Sequence, residues 1–169
     1  MTQRIIIGVD PGQSGALALL ADGEPIKVFD MPTTARKAGG QKVCGAGIAV
    51  QLRGVLHQHP GAFVFAALED VAARPGQGVS SMFRFGHALG VVEGVLIVME
   101  IPFRLVTPGV WKKHAGLIGT DKDVARTQAL QRFPAMAQEL GVDRVFGRGT
   151  TPREVASYLV HALAPEVAA

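Results

Sequence analysis

The stretch RIIIGVDPGQSGALALL, running from Arg4 to Leu20, decides the fold. Arg4 to Asp10 is a β-branched run, Pro11 and Gly12 interrupt it, and Ala16 to Leu20 is a second apolar run a few residues later. Branched side chains suit a pleated surface and Pro-Gly breaks it, so the segment reads as strand, tight turn, strand. Next outward, Asp22-Gly23 is a hairpin signal and Pro25 to Met31 a third strand, which makes the opening 31 residues an antiparallel meander.

Further along, Pro32 to Gly47 contains Thr33, Thr34, Arg36, Lys37, Gly39, Gly40 and Lys42 without a period, and a mobile loop is expected. Ile48 to His57 is apolar at positions 48, 52, 55 and 56, the pattern of an amphipathic helix, ended by His59-Pro60-Gly61. Ala62 to Leu68 reads as a buried strand running into Glu69 and Asp70. Val79 to Met99 is a long helix whose Gly86, Gly90 and Gly94 share one face, suited to close packing on a symmetry mate or on the sheet. Phe103 to Val106 is a last strand, Pro108 to His114 a short helix with Pro at its start, and Asp121 to Phe133 another helix. Thr151-Pro-Arg-Glu154 opens a final helix, with Thr as N-cap and Glu at the third helical position. Three strands, helix, strand, helix, strand, helices is the order of the RNase H-like fold. The expected class is therefore α/β, a mixed five-stranded sheet flanked by helices on both faces.

Composition narrows the function classes. With 48% apolar and 18% charged residues, the 169-residue chain has material for a real core, which excludes general disorder, and it is too short for two catalytic lobes. A net charge of +3, from 17 basic and 14 acidic residues, permits a polyanionic partner without demanding one. The one cysteine, Cys44, cannot form an internal disulfide, and the start MTQRIIIGVD has no leader pattern, so a reducing, cytoplasmic setting is expected. Val91 to Ile101, interrupted by Glu93 and Glu100, falls short of the roughly 20 residues that span a bilayer, and no membrane segment is expected.

Asp10 and Glu69 each stand at the C-terminal end of an expected strand, where ligands bind in open α/β sheets. On neighbouring strands their carboxylates would face one another and repel unless a divalent cation lay between them. Mg²⁺ takes oxygen ligands and leaves room for water and substrate phosphates, and a pair of such ions clamps an in-line phosphoryl displacement. Taken alone, Asp10 is equally an ordinary turn former before Pro-Gly, and Glu154 equally a capping-box residue. The five histidines lack metal spacing, Cys44 has no His/Asp partner pattern, and Ser80-Ser81 lacks a nucleophile elbow.

Four pieces in order carry a resemblance: Ile5 to Gly15 around Asp10-Pro-Gly, Ala67-Leu-Glu69, Phe85-Gly-His-Ala-Leu-Gly90, and Val106-Thr-Pro-Gly-Val-Trp-Lys-Lys113. Together they resemble the RuvC-type Holliday junction resolvases, especially their phage-borne relatives, over most of the chain. The resemblance implies a single nuclease domain over residues 1–169, a homodimer, branched DNA such as a four-way junction as substrate, and two Mg²⁺ ions per site, replaceable by Mn²⁺. It implies that Asp10 and Glu69 are the first two metal ligands and Glu154 a later one. It also implies that Lys112 and Lys122 act at the scissile phosphate and that Lys113 touches DNA. Arg74 and Arg84, with Arg36, Lys37 and Lys42, are candidate sequence-independent backbone contacts.

The sequence departs from the family at two places. Thr151 stands three positions before Glu154, where the family has an acidic or His ligand, and Asp143 is a nearby acid able to compensate. Ala72 stands three beyond Glu69, where an aromatic wedge is common, within the Gly-rich segment Ala72 to Ser81 that is suited to touching substrate. Phe83 or Phe85 is an alternative wedge, but on a helix rich in Gly and Val both are read first as core or dimer residues. The Thr151 departure motivates a second reading, a catalytically weakened protein that binds branched DNA. A nucleotide-binding fragment of the actin-like fold is a third, suggested by Asp10-Pro-Gly-Gln-Ser-Gly15 and opposed by chain length.

Overall fold

In a computed structural model, Ile5, Ile7 and Val9 alternate into the core from strand β1 (Arg4–Val9), and Leu17, Leu19 and Ala21 do the same from β2 (Ala16–Ala21). The structure describes residues 2–134 except 38, 71, 73–75 and 77, with only the backbone of residues 122, 123 and 126. Alternation at period two buries one face of each strand. β1 and β2 pair antiparallel from Ile5 opposite Ala21 to Val9 opposite Leu17. Asp22 and Gly23, at φ of 50° and 94°, then turn the chain into β3 (Glu24–Asp30), the positive-φ pair that a two-residue hairpin needs.

The remaining strands of the main sheet are β6 (Phe63–Glu69) and β7 (Phe103–Val106), both parallel to β1. The order is β3-β2-β1-β6-β7, a mixed five-stranded sheet with helices, which is the expected RNase H-like arrangement. Helices α1 (Gly45–Leu56) and α2 (Val79–Val98) supply Ile48, Leu52, Ala88, Val92 and Leu96 to the same cluster as the inward residues of β1, β2 and β6. α2 is long and apolar enough to cross a membrane by length and composition alone. Its stripe at 88, 92 and 96, one residue per turn, packs into this core.

One expectation is corrected and two readings left open by the sequence are narrowed. Residues 32–47 are not an aperiodic loop: β4 (Thr33–Ala35) and β5 (Gln41–Val43) form an antiparallel hairpin, and α1 starts at Gly45 rather than Ile48. Five of the six hairpin residues are exposed, so no apolar period marks the strands. The start of α1 is set by Cys44, whose Sγ accepts the Gly47 N–H at 3.4 Å. Secondly, the glycine face of α2 is not against the sheet, because a Cβ at Gly86, Gly90 or Gly94 would meet nothing within 4 Å. Thirdly, Phe83 and Phe85 are 66% and 36% exposed and are not core residues, since the buried stripe of α2 lies on the face of Ala88.

After α3 (Pro108–His114) the chain enters a second unit, beginning at Leu117, in which α4 (Lys122–Arg132) follows its N-cap Asp121. The final helix expected from Thr151 lies outside the described residues.

Candidate functional site

The parallel register of β1 and β6 ends with Val9 opposite Leu68, so the chain runs on into Asp10 and Glu69 at one edge of the sheet. β7 continues the row, with Val106 opposite Glu69 and the Asp70 N–H donating to the Val106 carbonyl at 2.9 Å. Two carboxylates from residues 59 positions apart thus leave neighbouring strands at the same level, as the strand-end argument requires.

The turn after β1 holds Asp10 firmly. Its N–H donates to Ala16 O at 3.0 Å, and its Oδ1 accepts the Gly12 N–H at 3.1 Å, the local bond that makes Asp a turn former. Gly15 closes the turn, its N–H donating to Gly12 O and its carbonyl accepting from Met31. A Cβ on Gly15 would collide with the Asp10 carbonyl oxygen, so only glycine fits. Gln13 Nε2 donates to Gln41 O, tying this turn to β5. Asp10 itself is exposed.

Glu69 is half-buried at the end of β6, with Leu68 and Ala66 turned into the core and Glu69 on the alternate face. Its Oε1 accepts the Trp111 Nε1–H at 2.9 Å. Trp111 reaches it because α3 starts directly after β7, with Thr107 at the N-cap and Pro108 in the first turn, the position where proline's missing N–H costs nothing. Lys112 Nζ lies 5.5 Å from the centre of the Trp111 ring, within cation–π range, and its side chain is exposed.

Each carboxylate therefore has one oxygen fixed by an N–H donor and lone pairs left over. An all-oxygen donor pair open to water suits a hard divalent cation such as Mg²⁺, which commonly takes one or two carboxylates and fills its shell with water or phosphate. Among the described residues no three His, Cys, Asp or Glu side chains converge. Glu154, Thr151 and Asp143 lie outside the described residues, as does Arg74.

The basic candidates are dispersed. Lys113 is exposed on α3, and Arg84 is exposed in the first turns of α2 with its Nε donating to Ser80 O at 3.1 Å. Arg36, Lys37 and Lys42 are exposed in and around the β4–β5 hairpin. Lys122 opens α4 in the second unit, and its side chain is outside the described residues, as are most of residues 71–77 in the Gly-rich segment.

Trp111 is the functional neighbour that sequence reasoning gave no role. No signal in the sequence pairs it with Glu69: a partly buried indole N–H needs an acceptor, but that acceptor stands 42 positions away on a neighbouring strand.

No protein-family model and no curated protein matches the chain. Among solved structures it is similar to "T. thermophilus RuvC in complex with Holliday junction substrate", with 16% identity, TM-score 0.44, and coverage of 97% of this chain and 96% of that one. It is likewise similar to "Thermus thermophilus RuvC structure", with 16% identity, TM-score 0.42 and the same coverage. At such identities and TM-scores the likeness adds nothing to what Asp10, Glu69 and Trp111 display by themselves.

Proposed function

We propose that the chain is a metal-dependent, structure-specific DNA endonuclease that resolves four-way junctions or other branched DNA by phosphodiester hydrolysis, as its resemblance to phage-borne RuvC-type resolvases implies. The observation that supports this most is the pair Asp10 and Glu69 leaving adjacent parallel strands of an RNase H-like sheet at one edge. Asp10, Glu69 and Glu154 are the residues that would hold Mg²⁺ or Mn²⁺. When bound, such ions activate water and neutralise charge developing on the phosphate.

The chain's own residues do the rest. The Gly12 and Trp111 N–H groups orient the two carboxylates. Lys112, with Lys122, supplies positive charge to the phosphate that is cut, a contribution that exists without any base-specific contact. Lys113, Arg74 and Arg84 hold the DNA backbone. One site per subunit in a cytoplasmic homodimer matches the two-fold symmetry of a junction, each site cutting one of two opposed strands and leaving 5′-phosphate and 3′-hydroxyl ends.

The test is cleavage of a synthetic four-way junction with Mg²⁺ or Mn²⁺, beside flap and fork substrates. Asp10→Asn and Glu69→Gln are each expected to lower the cleavage rate at least on the order of 1,000-fold, about 4 kcal/mol of transition-state stabilisation, while gel-shift binding of the junction persists. Full activity in either variant overturns the reading. Tight junction binding by the wild type without cutting at any metal concentration supports instead the weakened, purely binding protein that Thr151 suggests.

A further inference from the structure

Trp111 joins two groups that the proposed chemistry uses: its N–H donates to Glu69 Oε1 at 2.9 Å, and its ring face lies 5.5 Å from Lys112 Nζ. We propose that Trp111 is a positioning residue, which holds the Glu69 carboxylate in the orientation that accepts a divalent cation and seats Lys112 beside it. This rests on the metal-site reading above.

Glutamate has three side-chain torsions, and a carboxylate free to rotate loses that freedom when it takes up a cation. The indole bond removes much of the loss beforehand. An indole N–H is a donor only, so it binds the carboxylate without competing as a ligand and leaves Oε2 and a second lone pair on Oε1 for cation or water. A cation over the ring face draws π density and so strengthens the N–H as a donor, which makes the Lys112 contact and the Glu69 bond mutually supportive. Backbone geometry keeps the arrangement stiff. β7 pairs with β6 with Val106 opposite Glu69, the Asp70 N–H donating to the Val106 carbonyl, and α3 begins two residues later, so indole and carboxylate are carried on one rigid frame.

Trp111 is the single tryptophan of the chain, so tryptophan emission reports the surroundings of this one side chain. The experiment titrates the full-length protein with MgCl₂, without DNA, against NaCl at matched ionic strength, and measures Mg²⁺ binding in parallel by calorimetry. The expected result is a saturable change in tryptophan emission whose midpoint equals the calorimetric dissociation constant, absent in Glu69→Gln. In Trp111→Phe, which keeps an aromatic ring and lacks the N–H, calorimetric Mg²⁺ affinity is expected to fall about 10-fold, within the 10–100-fold typical of outer partners of metal ligands. The Mg²⁺ concentration for half-maximal junction cleavage should rise by the same factor, and the rate at saturating Mg²⁺ should change less.

The outcomes separate the two claims. No calorimetric Mg²⁺ binding by the wild type overturns the metal-site reading and this proposal with it. Mg²⁺ binding without any emission change, or with unaltered affinity in a folded Trp111→Phe, overturns the positioning role and leaves the metal site standing. If Trp111→Phe does not fold, the wild-type and Glu69→Gln emission titrations decide alone.

Discussion

Gly15 has no room for a side chain, because a Cβ there would run into the carbonyl oxygen of Asp10, the residue that heads the candidate site. Gly15→Ala must therefore move backbone rather than a flexible side chain. Overpacking of that kind typically costs about 1–3 kcal/mol, and thermal unfolding of the variant should show it as a lowered Tm. Asp10 should shift with the turn, so junction cleavage is expected to fall further than the Tm change alone would produce. A variant with wild-type Tm and wild-type cleavage would mean that the turn does not hold Asp10 as described. At this scale the sequence was informative about Asp10 and Glu69, because strand-end acids announce themselves by their place after apolar runs. It was silent on Trp111, whose meaning depends on a partner 42 positions away that only strand pairing brings near.

At the scale of elements, α2 shows how burial overrides composition. The helix is apolar on several faces, yet the stripe Ala88, Val92 and Leu96 is the part fully buried, at 2% exposure or less, with Leu89, Val91 and Val95 partly buried beside it, while Val98 is 78% exposed. Periodicity alone does not tell which of several apolar faces meets the sheet, and so the sequence leaves the glycine face open between the sheet and a symmetry mate. Leu96→Ala should cost about 2–5 kcal/mol in denaturant unfolding, the range for a buried leucine that leaves a cavity. A cost below about 1 kcal/mol would contradict the burial of this helix in the core it shares with Leu52 and the sheet. The β4–β5 hairpin is the converse case. Its strands are three residues long and almost wholly exposed, so hydrogen bonds and the positive-φ pair Gly39 and Gly40 define them rather than any apolar pattern.

At the scale of the whole molecule, the proposed homodimer calls for an apolar face left uncovered among the described residues. α1 and α2 border a groove lined by Val50, Gly90, Gly94 and Val98, with Arg53 and His87 at its sides. Val50 and Val98 are 66% and 78% exposed, and Gly90 and Gly94 permit close approach of a second helix. Val98→Glu, on a surface position, is expected to leave Tm within a few degrees and to shift the protein from dimer to monomer in sedimentation velocity. Paired cutting of opposed junction strands should then be lost in favour of single nicks. An unchanged sedimentation coefficient would exclude this face as the contact between subunits.

The sequence by itself determined the order of the main-sheet strands and the helices and the two strand-end carboxylates, because apolar runs, Pro-Gly breaks and helix caps act over a few residues and leave their period in the chain, whereas the exposed β4–β5 hairpin leaves none. Tertiary structure alone decided the parallel register that sets Asp10 and Glu69 at one level, the indole bond that orients Glu69, and which face of α2 is buried. Those depend on which strands lie side by side, and adjacency in a sheet is an energetic outcome of the whole packed core rather than of any local stretch.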